Sequence, residues 1–470
     1  MSAIRIRRGF DVPLHGGVPA SGSAGEVLAP VDRTGIQRVA ILPSIEALGC
    51  KSKPLVDEGA QVRLGQPLFV DRRDEDALFC SPASGRVADI QRGARRAVLS
   101  MIIEIEDDRE QEPFPGINAL TASAADVRHA LLRSGFWPDL RQRPFDTVAR
   151  SGDVPAAIFV TAIDTRPLAV SPRTLIAGRE THFRAGLLVL QRLLEPLGEN
   201  SAEENSGPGS VFLCTAGGED WGACLVEGIE HNTFTGPHPA GCVGTHIHHL
   251  KPVGPNRRVW HIGAQAVADI GQLFTTRNHP TERRVALVGP ALREPKVLRT
   301  RRGASTYELV QNEFEAREAR VIAGSALEGA TATPGSATGF LNRFANQLTV
   351  LEDDTQRELL TWMLPIAGRH TQSNTLLDKF FRRTFRYDTD TNGSLRAIVP
   401  VGQYESVMPL DVLPTQLIKA LASGDMETAE KLGVLELCEE DLALCEYVDN
   451  SKQPITRWLR EMLTGIEKES

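Results

Sequence analysis

Four histidines lie within the short stretch GPHPAGCVGTHIHHLKPV at residues 236–253, among glycines and prolines. Imidazole nitrogens are common zinc ligands. If this stretch forms a strand, His246 and His248 share one face. Together with His238 they could then ligate zinc, with Cys242 as the nearest candidate for a further ligand. We favour a structural role, in which the ring N–H groups donate to backbone carbonyls between domains, while contact with a bound ligand stays open.

Two other segments could carry chemistry. GGEDWGA at residues 217–223 follows a buried strand and can turn tightly toward a ligand, but it lacks the GxGxxG spacing of dinucleotide-binding loops. RTRR at residues 299–302 is basic in an acidic chain. Such a run is consistent with a solvated loop and equally with contact to a protein partner or to lipid headgroups.

Composition narrows the function classes. The formal charge is −8 over 470 residues, which argues against binding to nucleic acid, because phosphates demand a basic face. No apolar run approaches the ~20 residues of a membrane span, and we expect no signal peptide. The cysteines are dispersed and form no CxxC pair; these cysteines are Cys50, Cys80, Cys214, Cys224, Cys242, Cys438 and Cys445. We therefore expect reduced thiols and no cysteine-ligated metal or iron–sulfur site.

The pattern of strands, helices and turns predicts a multidomain α/β chain. Residues 1–110 carry short β patterns with glycine turns, typical of a β-rich barrel-sandwich hybrid. The tip of such a fold holds the modified lysine in swinging-arm carriers, but here it reads DRRDEDA at residues 71–77, so we reject that role. Residues 111–255 alternate strands and helices as in a Rossmann-like layer. Residues 256–330 fit a β-grasp domain, and residues 331–470 are mixed and then helical.

Individual elements follow from hydrophobic periodicity. In the α/β layer we predict helices over residues 125–134 and 181–194, and buried strands over residues 156–163 and 210–216. The C-terminal region should hold four more helices; they are predicted over residues 373–385, 413–423, 427–444 and 454–463.

Several motifs recur in the order and at the spacing of one family. The chain resembles the NqrA family, the A subunits of the sodium-translocating NADH:quinone reductases, over nearly its whole length; the motifs are IRIRRGFDVPLHGG (4–17), GQPLFVD (65–71), SPASGRV (81–87), RSGFWPDLRQRPF (133–145), IFVTAIDTRPLA (158–169), GPHPAGCVGTHIHHLKPV (236–253) and VWHIGAQAV (259–267). The resemblance implies a peripheral subunit, without a span of its own, on the cytoplasmic face of the bacterial inner membrane. It also implies that the partners are the other subunits, especially the flavin-bearing membrane subunits.

The same resemblance sets expectations for chemistry. The complex oxidises NADH, reduces ubiquinone to ubiquinol and exports Na⁺, and this subunit is linked to the quinone end of the electron path. Flavins and the 2Fe-2S centre are expected in the other subunits. We therefore expect no tightly bound cofactor here, ubiquinone as the substrate, and no catalytic activity from the isolated chain.

More distant relatives suggest an alternative that the residues disfavour. The domain order is similar to the C subunit of the Rnf complex and to the flavin-binding subunit of complex I, which hold FMN on a glycine-rich loop. At that place this chain reads RSGFWP, residues 133–138, and of the relatives' acidic strand end only Asp164 is left. The relatives' iron–sulfur cysteines are reduced to Cys438 and Cys445, with Asp441, Asp449 and Asn450 where further ligands or a proline are expected. Two thiolates cannot hold a cluster.

A ubiquinone site needs an apolar slot, donors for the carbonyl oxygens and a proton source. Histidine suits the last task because its pKa lies near neutral. Our candidates are the histidines and aromatic residues of the family motifs, namely Phe10, His15, Phe136, Trp137, His238, Trp260 and His261. Two other interpretations stay open: an FMN- and NADH-binding subunit that takes electrons in, and a purely structural assembly subunit.

Overall fold

The computed structural model describes residues 2–19, 29–106, 110–119, 121–195, 209–254, 257–314, 318–353, 384–391 and 393–469. Within these ranges the strands are β1 (Ser2–Arg5), β2 (Val31–Asp32), β3 (Arg38–Ile41), β4 (Ser52–Pro54), β5 (Gln61–Val62), β6 (Pro67–Asp71), β7 (Asp74–Cys80), β8 (Gly85–Arg92), β9 (Val98–Ile105), β10 (Arg141–Arg143), β11 (Thr147–Val148), β12 (Ala157–Ala162), β13 (Ser210–Ala216), β14 (Ile229–Thr235), β15 (Val259–Gly263), β16 (Glu282–Val288), β17 (Lys296–Arg301), β18 (Ala319–Ala323), β19 (Ala330–Thr331) and β20 (Gln347–Glu352). The helices are α1 (Pro43–Glu46), α2 (Ala124–Ser134), α3 (Pro172–Leu175), α4 (Glu180–Leu193), α5 (Val243–Leu250), α6 (Ala264–Thr276), α7 (Thr306–Val310), α8 (Gln403–Val407), α9 (Pro414–Ser423), α10 (Met426–Lys431), α11 (Glu439–Val448) and α12 (Ile455–Glu469).

The central layer is a sheet of order β1-β14-β13-β12-β15-β10-β11. Its first five strands run parallel, and β10 and β11 add an antiparallel edge. Helices α4 and α6 pack on one face so closely that a Cβ on Gly271 would lie 1.8 Å from the carbonyl oxygen of His182. The predicted Rossmann-like layer is confirmed, with β13 at its predicted bounds and β12, α2 and α4 within one residue of theirs at each end.

The barrel-sandwich hybrid and the β-grasp unit share one hydrophobic core. The hybrid consists of the sheets β3-β9-β8-β5 and β4-β6-β7, and the β-grasp unit is the sheet β19-β18-β20-β16-β17-β2. Side chains such as Val39 and Ile103 from the first unit pack in the same buried cluster as Val285 and Leu348 from the second. The two units therefore form a continuous body beside the α/β layer.

Strand pairing crosses the regions inferred from sequence. β1 lies at the start of the chain but pairs with β14 in the α/β sheet, and β2 pairs with β17 in the β-grasp sheet. β15, expected in the β-grasp region, lies in the α/β sheet between β12 and β10. Local composition cannot reveal these partners, because the hydrogen bonds join segments that are distant in sequence.

The C-terminal region is helical and has its own core. The predicted helices 413–423 and 454–463 correspond to α9 and α12, and 427–444 corresponds to α10 and α11 with a short 3₁₀ turn between them. Most of the predicted helix 373–385 lies outside the described residues. No helix in the described part of the chain is long and apolar enough to cross a membrane.

Candidate functional site

The carboxyl ends of the parallel strands meet the C-terminal helices. Asp164 and Arg166 follow β12, and the loop 236–242 follows β14 and leads into α5. In open α/β sheets this edge is where ligands bind. In this chain the helix α11 lies against it.

Two carboxylates of α11 occupy the N-terminus of α5. Glu440 accepts a hydrogen bond from the backbone N–H of Val243 at 3.2 Å. A Cβ on Gly244 would lie 2.0 Å from Oδ1 of Asp441, so glycine is what allows this carboxylate to approach the helix. Helix N-termini stabilise anions, and in nucleotide-binding folds that anion is phosphate. The place is taken here by side chains of the same chain, which counts against a nucleotide at this helix.

Arg143 joins the α/β layer to α11 from a fully buried position. It donates to the backbone carbonyl of Glu436 at 2.9 Å, to Oδ2 of Asp441 at 3.1 Å and to Sγ of Cys438 at 2.7 Å. Glu440 lies 3.5 Å from the same guanidinium. One arginine therefore neutralises carboxylates on an element almost 300 residues away in sequence.

His261 belongs to the same junction. Its Nε2 is 2.8 Å from Oδ1 of Asp146, and Arg141 lies 2.6 Å from the other oxygen of that carboxylate. Burial alone would raise the pKa of Asp146, but Arg141 and His261 hold it well below its usual range. Burial also lowers the pKa of His261, against the pull of Asp146. Asp146 is thus a fixed anion that orients the imidazole ring.

Carboxylates near Arg166 compete for one cation. Arg166 donates to Glu440 at 2.6 Å, is 3.2 Å from Asp164 and contacts Glu328. Burial and the nearby negative charge of Glu440 raise the pKa of Glu328 to about 7, against the opposing effect of Arg166. Glu328 is therefore the carboxyl group of this set that retains a proton near neutral pH.

Glu328→Gln is expected to change how stability depends on pH. A raised carboxyl pKa means that the folded chain binds a proton which the unfolded chain has released, so stability falls as pH rises from the ordinary value of 4.5 to about 7. Glutamine cannot ionise, so the variant should lack this decline and exceed the wild type in stability above pH ~7. Urea unfolding across this pH range measures it, with Glu461→Gln, in an exposed pair with Arg457, as the control. Parallel curves for Glu328→Gln and wild type would contradict the assignment.

The histidines of 236–253 lie largely on a helix, and not on the strand that the zinc hypothesis assumed. Val243, Ile247 and Leu250 follow helical spacing and pack on the far side of the sheet. On a helix His246 and His248 no longer share a face. The geometric basis of the zinc hypothesis is therefore lost.

Each of these histidines has structural contacts. His246 Nε2 lies 3.0 Å from the carbonyl oxygen of Ala240, and burial lowers its pKa to about 4. His248 bridges Glu436 and the backbone N–H of Asp411, and His249 Nδ1 lies 2.8 Å from the carbonyl oxygen of Thr245. These contacts are structural, but the carbonyls belong to the same segment and not, as we expected, to another domain, while His248 contacts the C-terminal region through Glu436 and Asp411.

His238 is fully buried between the N-terminal segment and β12. Its Nδ1 lies 3.3 Å from the Thr165 hydroxyl, and its Nε2 has no partner among the described residues. Burial, then the charge of Arg166, lowers its pKa to about 4. Its carbonyl accepts the N–H of Phe10, and the Phe10 ring stacks on Tyr447 at 6.2 Å. His238 and Phe10 thus lie together, against the C-terminal helices.

Metal-compatible donors also gather at this junction. Asp146, Cys438 and Glu439 place one ligand atom each within 4.8 Å of one another. Arg143 already donates to Cys438, Arg141 pairs with Asp146, and Arg460 pairs with both oxygens of Glu439. Burial raises the pKa of the Cys438 thiol well above its usual range, so it carries its proton and is a poor ligand.

The tryptophan candidates are core residues. Trp137 and Trp260 are both fully buried, with their rings 5.4 Å apart, edge to face. Trp137 donates to the carbonyl of Ala149 at 2.7 Å and Trp260 to the Gln142 side chain at 3.3 Å. Arg128 lies over both rings. His15, in contrast, is exposed, with Nδ1 3.2 Å from the Thr384 hydroxyl.

Phe136 lines a cavity of about 40 Å³ where the hybrid, the α/β layer and the β-grasp unit meet. The Arg302 guanidinium lies 4.4 Å from its ring centre, and the His279 ring stacks at 6.4 Å. The other polar residues that line this junction cavity were not among the candidates predicted from the sequence; they are Glu46, Ser81, Ser134, His279, Arg283, Asn342 and Arg343. Arg302 belongs to the basic run 299–302, but its side chain is only 11% exposed and lies 2.9 Å from Asp139 and 3.2 Å from Asp269, rather than in a solvated loop.

The loop 217–223 is held by its own side chains. Glu219 accepts from the Ser171 hydroxyl at 2.5 Å and from Nε1 of the buried Trp221 at 3.1 Å. These hydrogen bonds within the chain account for the conformation of the loop.

Comparison with known proteins identifies the family. Family models match as the "NqrA N-terminal barrel-sandwich hybrid domain" over residues 4–106, the "NqrA second alpha/beta domain" over 122–278 and the "NQRA C-terminal domain" over 284–333. Relatives named as the A subunit of Na(+)-translocating NADH-quinone reductase are 42% identical over 477 residues in Yersinia pseudotuberculosis, 41% over 471 in Serratia proteamaculans and 41% over 469 in Pseudomonas aeruginosa. Each comparison covers 99% of this chain and 100% of the relative. The NAD⁺-reducing [NiFe]-hydrogenase in the H₂-reduced state matches 50% of each chain at 13% identity, with a TM-score of 0.33. On this full-length similarity, the chain belongs to the NqrA family.

Proposed function

We propose that this chain serves as the A subunit of a Na⁺-translocating NADH:quinone reductase and helps to bind or position ubiquinone. The observation that carries the role in this complex is identity of 41–42% along 99% of the chain with relatives of that name. On this proposal the chain works peripherally, on the cytoplasmic face of the membrane. Its partners are the other subunits, which carry the flavins and the 2Fe-2S centre.

Phe136 is the candidate that best fits quinone contact. Among the seven candidates it is the one that lines the junction cavity, where Arg302 and Arg343 supply donors and His279 an imidazole. A water needs roughly 10–15 Å³ of such space, so a cavity of about 40 Å³ holds about three waters and is too small for a quinone ring. The ring therefore enters only when the three units separate or when a neighbouring subunit supplies part of the slot.

Electron input through FMN is the weaker alternative. The loop 133–138 keeps one glycine, Gly135, whose φ of +77° is required by the turn after α2. A Cβ there would lie 2.6 Å from Cβ of Cys80, so this glycine packs against the hybrid rather than leaving room for a phosphate. Carboxylates of α11 also occupy the N-terminus of α5. Both observations favour the absence of a tightly held flavin.

A purely structural role is the second candidate function. It is favoured because Trp137, Trp260 and His238 are buried. The candidate residues therefore lie in separate places and do not line one slot. The two functions differ in one measurable respect, which is whether the chain itself has affinity for quinone.

Titration of the purified full chain with a short-chain ubiquinone, followed by calorimetry, tests the proposal. We expect saturable binding that Phe136→Ala weakens at least tenfold, or by about 1.4 kcal/mol. Phe10→Ala, at the C-terminal helices, should leave the affinity unchanged. Absence of binding, together with normal quinone affinity of the assembled complex lacking this chain, would leave the structural role.

A further inference from the structure

Three units of the fold contribute walls to the junction cavity. Ser81 follows β7 of the hybrid, Phe136 follows α2 of the α/β layer, and Arg302 follows β17 of the β-grasp unit. A ligand in this space would touch all three units at once.

The buried charges around the cavity do not balance. The cations are Arg179, Arg283, Arg302 and Arg343, and the anions are Glu46, Asp139 and Asp269. None of these side chains is more than 11% exposed. Farther out, Arg133 and Glu112 carry opposite charges and act on the pKa of the Cys80 thiol in opposite directions. One positive charge is therefore in excess among these largely buried side chains.

The excess charge lies on Arg283. Arg302 and Arg343 share Asp139, Arg343 also pairs with Glu46, and Arg179 pairs with Asp269. Arg283 makes no ion pair within the described part of the chain. Its Nη2 donates instead to the backbone carbonyls of Arg343 and Ala345 and to the Asn346 side chain, at 3.0–3.4 Å.

One donor of Arg283 is left unused. Its Nε has no hydrogen-bond partner among the described residues, and the residue is only 6% exposed. A buried charged donor without an acceptor is costly. Burial lowers the pKa of Arg283 to about 10, which still leaves it protonated at neutral pH.

We propose that the junction cavity binds a small, singly charged oxyanion, of the size of formate or bicarbonate, through Arg283. One negative charge balances the buried excess. One or two oxygens satisfy the unused donor, because guanidinium groups match carboxylates in geometry. Space for about three waters suits such an anion and excludes larger ones. This site does not rest on the ubiquinone role.

Binding would connect the three units. An anion that binds the folded chain and not the unfolded chain raises the unfolding temperature with its concentration. The rise should follow the affinity that calorimetry measures, unlike a general effect of salt.

The test uses sodium formate as the probe, titrated into the purified full chain at constant ionic strength. With formate we expect a binding heat that saturates and an unfolding temperature that rises with concentration. With citrate or benzoate, which are larger than the cavity, we expect neither response. Arg283→Gln should abolish both responses. Arg320→Gln, at an exposed pair with Asp353, should retain them.

Arg283→Lys keeps the charge and removes the Nε donor, and it serves if Arg283→Gln does not fold. We expect it to weaken formate binding at least tenfold. Absence of formate binding would overturn the proposal, as would equal responses to formate and citrate or an unchanged response in the folded Arg283 variants.

Discussion

Arg143→Met is expected to destabilise the folded chain by about 3–5 kcal/mol, the typical cost of removing one partner from a buried ionic network. Arg143 is fully buried and lies within 3.6 Å of three carboxylates, those of Asp146, Glu440 and Asp441. Without the guanidinium, Asp441 must take up a proton or remain as an uncompensated charge, whereas Asp146 and Glu440 keep Arg141 and Arg166. Denaturation of the full chain measures the loss, and hydrogen exchange across α11 locates it.

The matched control is Arg457→Met, which removes an arginine from the same helical region. Arg457 pairs with Glu461 one turn along α12, and both side chains are more than half exposed. Exposed pairs contribute about 0–1 kcal/mol, so this variant should stay near the wild type. A loss of less than ~1 kcal/mol for Arg143→Met would show that the buried network does not hold α11 in place.

Arg143→Met combined with Asp441→Asn should recover part of the loss. The double variant removes one buried anion together with the cation, and replacing both members of a buried pair is far less damaging than removing one. Recovery remains partial, since Asp146 and Glu440 each still lose one of their two arginine contacts. Full additivity of the two losses would mean that the two side chains act independently, against their 3.1 Å contact.

This network also explains what the sequence could and could not predict about the site. The run of β-branched and aromatic residues at 210–216 predicts β13. A strand that is buried on both faces of a parallel sheet is rich in such residues, so its own sequence marks it. The contact between Gly244 and Asp441 is not local, since it depends on how two distant segments pack. No periodicity marks it in either segment.

The burial of the basic and histidine-rich motifs could not be predicted from the sequence for the same reason. Their residue types are visible in the sequence, but their burial is decided by neighbours. In the sequence Arg302 is one more charge of a basic run, but in the structure Asp139 and Asp269 lie beside it. His279 and Arg283 belong to no motif, and no sequence signal that we recognise identifies them as cavity residues. The order of the domain types, in contrast, was predicted from the local pattern of strands, helices and turns, and the family models match in the same order.

Trp260→Ala is expected to destabilise the chain by about 3–5 kcal/mol, because truncating a buried aromatic side chain leaves a cavity. Trp260 is fully buried on β15, 5.4 Å from Trp137 and under Arg128, and its Nε1 donates to Gln142. The truncation would leave the Gln142 acceptor unsatisfied as well. Urea unfolding of the full chain measures the effect.

Trp260→Phe separates packing from quinone contact. A phenyl ring fills much of the same space and keeps the contact with Trp137, so the loss of stability should be distinctly smaller than for alanine. Since Trp260 does not line the junction cavity, the affinity for short-chain ubiquinone should equal that of the wild type. Wild-type stability with at least tenfold weaker quinone binding would reverse this assignment and return Trp260 to the quinone site. Equal affinity would leave Trp260 as a core residue and Phe136 as the aromatic side chain to pursue.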